Sequence, residues 1–88
     1  MYLHLGQETV VDTRDILGVF DLDNTTVSKH TRAFLARAQQ EGRVVDVSHE
    51  LPKSFIVCAG AGGEMVYLSQ LAPATLLKRS RQFLQNLT

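Results

Sequence analysis

Shortness constrains this chain more than any other feature it has. Its 88 residues hold one hydrophobic core and not two, so residues 1–88 read as a single domain. A domain of this size buries only about 60% of the surface that its unfolded chain exposes, which leaves it marginal on its own. Contacts between copies extend a small core, so self-association has a physical motive here. The charge balance does not oppose it. Nine acidic and nine basic residues give a net charge of zero with His neutral, and a chain without net charge lacks one barrier to association. The same balance lacks the basic excess usual in a free-standing nucleic-acid binder. DNA binding by one copy therefore requires its charges to be segregated in space.

The lone cysteine, Cys58, excludes an intrachain disulfide and points to a reduced, cytoplasmic setting. It lies in an apolar run with no flanking cation, which marks a core residue and not a reactive thiol. No stretch approaches the roughly 18 apolar residues that cross a membrane, and Met1 to Asp12 lacks the basic and apolar regions of a signal peptide. His4, His30 and His49 share no metal-ligand spacing, so neither a metal site nor a cofactor is expected. His4 is expected on the polar side of a strand and His30 on the exposed side of a helix.

The apolar pattern predicts strands and helices in a definite order. Tyr2 to Leu5 and Glu8 to Asp12 read as two strands around a turn at Gly6 and Gln7. Ile16 to Phe20 is a short β-branched run that reads as a buried strand. Asp23 to Thr26 break it, and a helix is predicted from about Val27 to Glu41, with Val27, Thr31, Phe34, Leu35 and Ala38 on one face and a stop at Gly42. Val44 to Val47, Ser54 to Ala59 and Met65 to Leu68 read as further strands, the last two joined by the turn Gly60 to Gly63. Pro73 opens a final helix to about Leu87, whose stripe is Leu76, Leu77, Phe83, Leu84 and Leu87. This order predicts an α+β fold: a small, mostly antiparallel sheet with two helices.

Two resemblances bear on function. Phe20-Asp21-Leu22-Asp23-Asn24-Thr25 is similar to the first motif of haloacid dehalogenase-like phosphatases, with Asp21 as nucleophile and Asp23 as acid and base. That chemistry needs a later acidic cluster to hold magnesium, and after Glu50 the only acid is Glu64. Asp21, Asp23 and Asn24 then serve to end a strand and start a capped helix, and the chain is not expected to be an enzyme or to act on a small-molecule substrate.

The second resemblance covers nearly the whole chain. Met1-Tyr2-Leu3-His4-Leu5-Gly6, Thr13 to Asp21, Pro52 to Val57 and Pro73 to Ser80, in this order and spacing, resemble the RemA/RemB family of extracellular matrix regulators. The resemblance implies a cytoplasmic bacterial protein linked to expression of biofilm-matrix genes. RemA-type relatives look like ring-forming DNA-binding proteins with basic loops displayed around the ring, which implies a homo-oligomer that contacts DNA. Leu51 and Pro52 stand where RemA-type chains carry adjacent arginines, and Lys53 is the nearest cation left. Arg14 lies close to another basic position of that pattern. Lys78, Arg79 and Arg81 form a cluster without a neighbouring acid. Arg14, Lys53, Lys78, Arg79 and Arg81 are therefore the candidate phosphate contacts. The other reading is a protein-interaction module of the same fold that acts through a partner and not on DNA.

Overall fold

The described residues build two sheets, two α-helices and a short 3-10 helix. The structure, a computed structural model, describes the backbone of residues 1–22 and 28–86 and their side chains up to Ser80. The predicted turn at Asp23 to Thr26, the helix start at Val27, Leu87, and the side chains of Arg81, Phe83 and Leu84 lie outside the described residues.

The first two strands, β1 (Tyr2–Gly6) and β2 (Thr9–Asp12), form an antiparallel hairpin with Leu3 opposite Val11 and His4 opposite Val10. Its turn is Gln7 and Glu8, one residue later than predicted. Gly6 and Gln7 take positive φ, +128° and +48°, and the register slips between His4 and Gly6. Alternation turns Leu3, Leu5 and Val11 inward and leaves Tyr2, His4 and Val10 exposed.

A short 3-10 helix, Thr13–Asp15, leads into β3 (Ile16–Asp21), the first strand of a four-stranded sheet. The helix α1 (Lys29–Gln40) follows. Its N-cap is Ser28, whose hydroxyl accepts from the Thr31 N–H at 3.1 Å. Gly42, at φ +72°, closes its C-terminus. Then come β4 (Val44–Asp46), β5 (Ser54–Cys58), β6 (Met65–Ser69) and α2 (Pro73–Asn86).

The fold is α+β, but its sheet structure corrects the prediction of one small, mostly antiparallel sheet. Among the described residues there are two sheets with six strands, and the larger is mixed, in the order β3-β5-β6-β4. β3 and β6 flank β5 antiparallel, whereas β4 runs parallel to β6, with Val45 opposite Tyr67. The cause is the segment after β4. It passes the end of β6, where the Val47 N–H donates to Leu68 O at 3.0 Å and the Lys53 N–H donates to Ser69 O at 2.8 Å. It then enters the sheet one position further on. β4 and β5 are consecutive in the chain but not neighbours.

All five residues of β5 are buried. Their alternation divides the core. Ile56 and Cys58 join Leu3, Leu5, Val11, Val47 and Leu76 beneath the hairpin and α2. Phe55 and Val57 join Ala38 and Val66, with Phe34 and Leu35 of α1 packed against them. The two helices therefore lie on opposite faces of the mixed sheet. Cys58 is a core residue as the sequence indicates, and burial pushes its thiol pKa up. Ser69 fastens the hairpin to the sheet: its buried hydroxyl donates to Leu5 O at 2.6 Å and accepts from the Leu71 N–H at 3.0 Å.

Candidate nucleic-acid interface

The candidate cations occupy three separate places. Arg14 sits in the 3-10 helix at the start of β3. Asp12 caps that turn by accepting from the Arg14 N–H at 3.0 Å, and the same carboxylate takes the guanidinium through Nε at 3.2 Å and Nη2 at 2.8 Å. The Met1 amine lies 3.8 Å from it. Side-chain and backbone hydrogen bonds from Arg14 hold the Asp12 carboxyl far below the usual carboxylate range, and Asp12 raises the Arg14 pKa in return. The Arg14 side chain is 81% exposed, yet its charge is already matched at short range. A phosphate there competes with Asp12.

Lys53 lies at the other end of the same ladder. Ile16 pairs with Cys58 and Asp21 with Ser54, so the length of β3 separates Arg14 from Lys53, roughly 16 Å at 3.3 Å per residue. The Lys53 backbone is pinned on both sides: its N–H bonds Ser69, and its carbonyl accepts from the Leu22 N–H at 2.8 Å. Its side chain is exposed. Lys78 and Arg79 are exposed on α2, next to buried Leu76. Arg81 belongs to α2, and its side chain is outside the described residues. Among the described residues, none of the three ion pairs involves Lys53, Lys78 or Arg79.

Charge is segregated by element on α1 as well as on α2. The segment of α1 contains Lys29, Arg32 and Arg37 and no carboxylate; that of α2 contains Lys78, Arg79 and Arg81 and no carboxylate. Six of the nine cations thus lie on two α-helices, while the acids among the described residues lie in strands, turns, loops and the 3-10 helix. Lys29, Arg32 and Arg37 are exposed and were not among the predicted contacts. The signal was present in the sequence: Val27 to Gln40 holds three cations and no acid. Arg43 is different: it bonds Glu64 O at 2.7 Å and Glu41 Oε1 at 3.0 Å and is 19% exposed, a clamp across the end of α1.

Asp21 ends β3 and is exposed, and Asp23 lies outside the described residues. His4 and His30 are exposed, as expected. No helix among the described residues is long and apolar enough to cross a membrane.

Residues 2–79 match the family described as RemA-like, extracellular matrix regulatory protein A-like. This chain belongs to the RemA-like family. Extracellular matrix regulatory protein B of Bacillus subtilis (strain 168) is 38% identical to it over 81 residues, an alignment covering 92% of this chain and 91% of that protein. The RemA-like match takes in all six strands, α1 and the first half of α2, and its name is that of a regulator.

Proposed function

We propose that this protein is a cytoplasmic bacterial regulator of biofilm-matrix gene expression, without enzymatic activity, that assembles from copies of itself and binds DNA directly. The observation that carries this reading is the match to a matrix regulatory protein along nearly the whole of both chains. The placement of charge supports it: Lys78 and Arg79 stand exposed on a helix with no carboxylate of its own, and exposed cations are what phosphate contact requires. Lys53 adds a cation at the end of the sheet. Arg14 is the weakest of the five candidates, because a phosphate must displace Asp12 to reach it.

The test is DNA binding at two salt concentrations. Each neutralised phosphate contributes about −0.9 to the slope of log K against log salt. Lys78→Glu with Arg81→Glu is expected to weaken binding and reduce that slope by about 2 per engaged subunit, with an unchanged circular dichroism spectrum. Undiminished binding by the folded variant refutes the α2 surface. A wild-type chain that binds no DNA at low salt favours the protein-interaction module instead.

A further inference from the structure

Asp12 and Arg14 meet across a turn whose two ends are anchored. Asp12 ends β2 in register with Tyr2, and past the 3-10 turn the Asp15 carbonyl accepts from the Ala59 N–H at 2.8 Å. Between these anchors the Asp12 carboxylate accepts from the Arg14 N–H, and both of its oxygens face the guanidinium. Nε lies 3.2 Å from each oxygen and Nη2 lies 2.8 Å from Oδ2. Nε and Nη2 form an edge with which arginine grips two oxygens of a phosphate. On a side chain that is 81% exposed, a carboxylate of the same chain therefore fills the place of a phosphate.

Room for the carboxylate to leave lies beside it. Asp12 lines a cavity of about 450 Å³ with Tyr2, Asp15 and Tyr67, so its side chain can turn toward that space while the backbone stays anchored. Asp15 is exposed and carries the same charge, and its repulsion favours Asp12 against Arg14. Arg14 in turn holds the Asp12 carboxyl far below the usual carboxylate range. Acidification within the physiological range therefore leaves the bridge closed, and a competing anion is what opens it.

We propose that Asp12 is a built-in competitor of phosphate, which holds Arg14 out of DNA contact until a phosphodiester takes its place. This rests on the DNA-binding reading above and gives one residue the task of attenuating that binding. The exchange has a signature in salt. A cation that meets a DNA phosphate releases a condensed counterion. When Asp12 is displaced, the freed carboxylate attracts a counterion of its own. The two effects offset each other, and Arg14 adds little to the salt dependence of the wild-type chain. An unbridged Arg14 adds its whole contribution, about −0.9 to the slope of log K against log salt.

The experiment is DNA binding by wild type and Asp12→Asn at two salt concentrations fourfold apart. Asparagine removes the charge and keeps the cap, because its side-chain oxygen still accepts from the Arg14 N–H. Asp12→Asn is expected to bind more tightly than wild type at the lower salt. Between the two salts it is expected to lose about 3.5-fold more affinity per engaged subunit than wild type loses. Glu8→Gln removes the same charge at an exposed position in the turn of the hairpin, at the end away from Asp12, and is expected to follow wild type. Asp12→Asn combined with Arg14→Ala is expected to return to the wild-type slope. Should Asp12→Asn fail to fold by circular dichroism, Asp12→Ser, also a capping residue, decides. A folded Asp12 variant with wild-type slope and affinity overturns the competitor. So does a gain that survives Arg14→Ala or that Glu8→Gln reproduces. In each of these cases binding by the wild type leaves the DNA-binding reading standing, whereas a wild type and a folded Asp12 variant that both ignore DNA at low salt overturn the two together.

Discussion

Leu76 is the residue on which the placement of α2 depends, and Leu76→Ala measures how firmly that helix is held. Leu76 is 1% exposed and packs with Leu3, Leu5, Val11, Val47, Ile56 and Cys58. It is the only buried residue among the described side chains of α2. The change removes three carbons, about 2.4 kcal/mol at roughly 0.8 kcal/mol each. A cavity adds to that, and buried leucine-to-alanine changes span about 2–5 kcal/mol. The site adjoins the open groove beneath Pro73 and Leu77, so its walls can relax, which places the cost at about 2.5–3.5 kcal/mol. A chain of this length has a total stability of only about 4–13 kcal/mol. In urea, with a slope of about 1–1.5 kcal/mol per molar, the midpoint falls by roughly 2 M. Unfolding followed by circular dichroism reads this directly, at one protein concentration because assembly shifts midpoints. Lys78→Ala, two residues further on and exposed to solvent, is expected to stay within about 0.5 kcal/mol. A Leu76→Ala midpoint within 0.5 M of wild type at unchanged slope would refute the claim that this side chain docks α2.

Two smaller predictions concern the polar fastenings. Ser69→Ala strands both the Leu5 carbonyl and the Leu71 N–H and is expected to cost about 1–3 kcal/mol; a melting temperature equal to wild type would show that the hairpin is held by apolar contact alone. The Asp12 carboxyl, held low by Arg14, supports the folded state when ionised. That support is complete above the unfolded value near pH 4 and is lost as pH falls below it. The stability difference between wild type and Asp12→Asn should therefore shrink from pH 6 to pH 3, and shrink with added salt, because the pair faces solvent. A difference independent of pH would remove the ion pair from the account.

Much of the fold is legible because local pattern and burial agree. Ser54 to Cys58 reads as a strand from its apolar run and is buried throughout. Gly42 ends α1 in the left-handed region that glycine favours, and Pro73 opens α2 where its missing N–H costs nothing. The illegible parts are non-local. Nothing in Val44 to Asp46 records that β5 will enter the sheet on the far side of β6, because that choice belongs to the crossing segment and its bonds to Leu68 and Ser69. An apolar run such as Ile16 to Phe20 cannot say whether its strand lies inside the sheet or, as here, at its edge. Leu77 reads as part of the buried stripe, yet it points away from the core that Leu76 fills. Of the site, the exposed cations were readable, but the Asp12 bridge that occupies Arg14 was not. That bridge follows from the 3-10 turn that Asp12 caps, which folds the guanidinium back onto the carboxylate.

The two helices make the link between assembly and binding geometric. They lie on opposite faces of the sheet, so one copy has two modestly basic sides and no single strongly basic one. In the assembly proposed above, a symmetry that keeps the α2 side of every copy on one face would gather Lys78, Arg79 and Arg81 of several copies there. Linked contacts of this kind raise avidity by about 10² to 10⁴ without adding a new contact type. An electroneutral chain would thereby acquire a basic face by assembly and not by composition. Dilution to concentrations at which the assembly dissociates should therefore weaken DNA binding more steeply than the loss of protein alone explains. A dissociated chain that binds DNA as tightly as the assembly would separate the two properties and leave α2 to act alone.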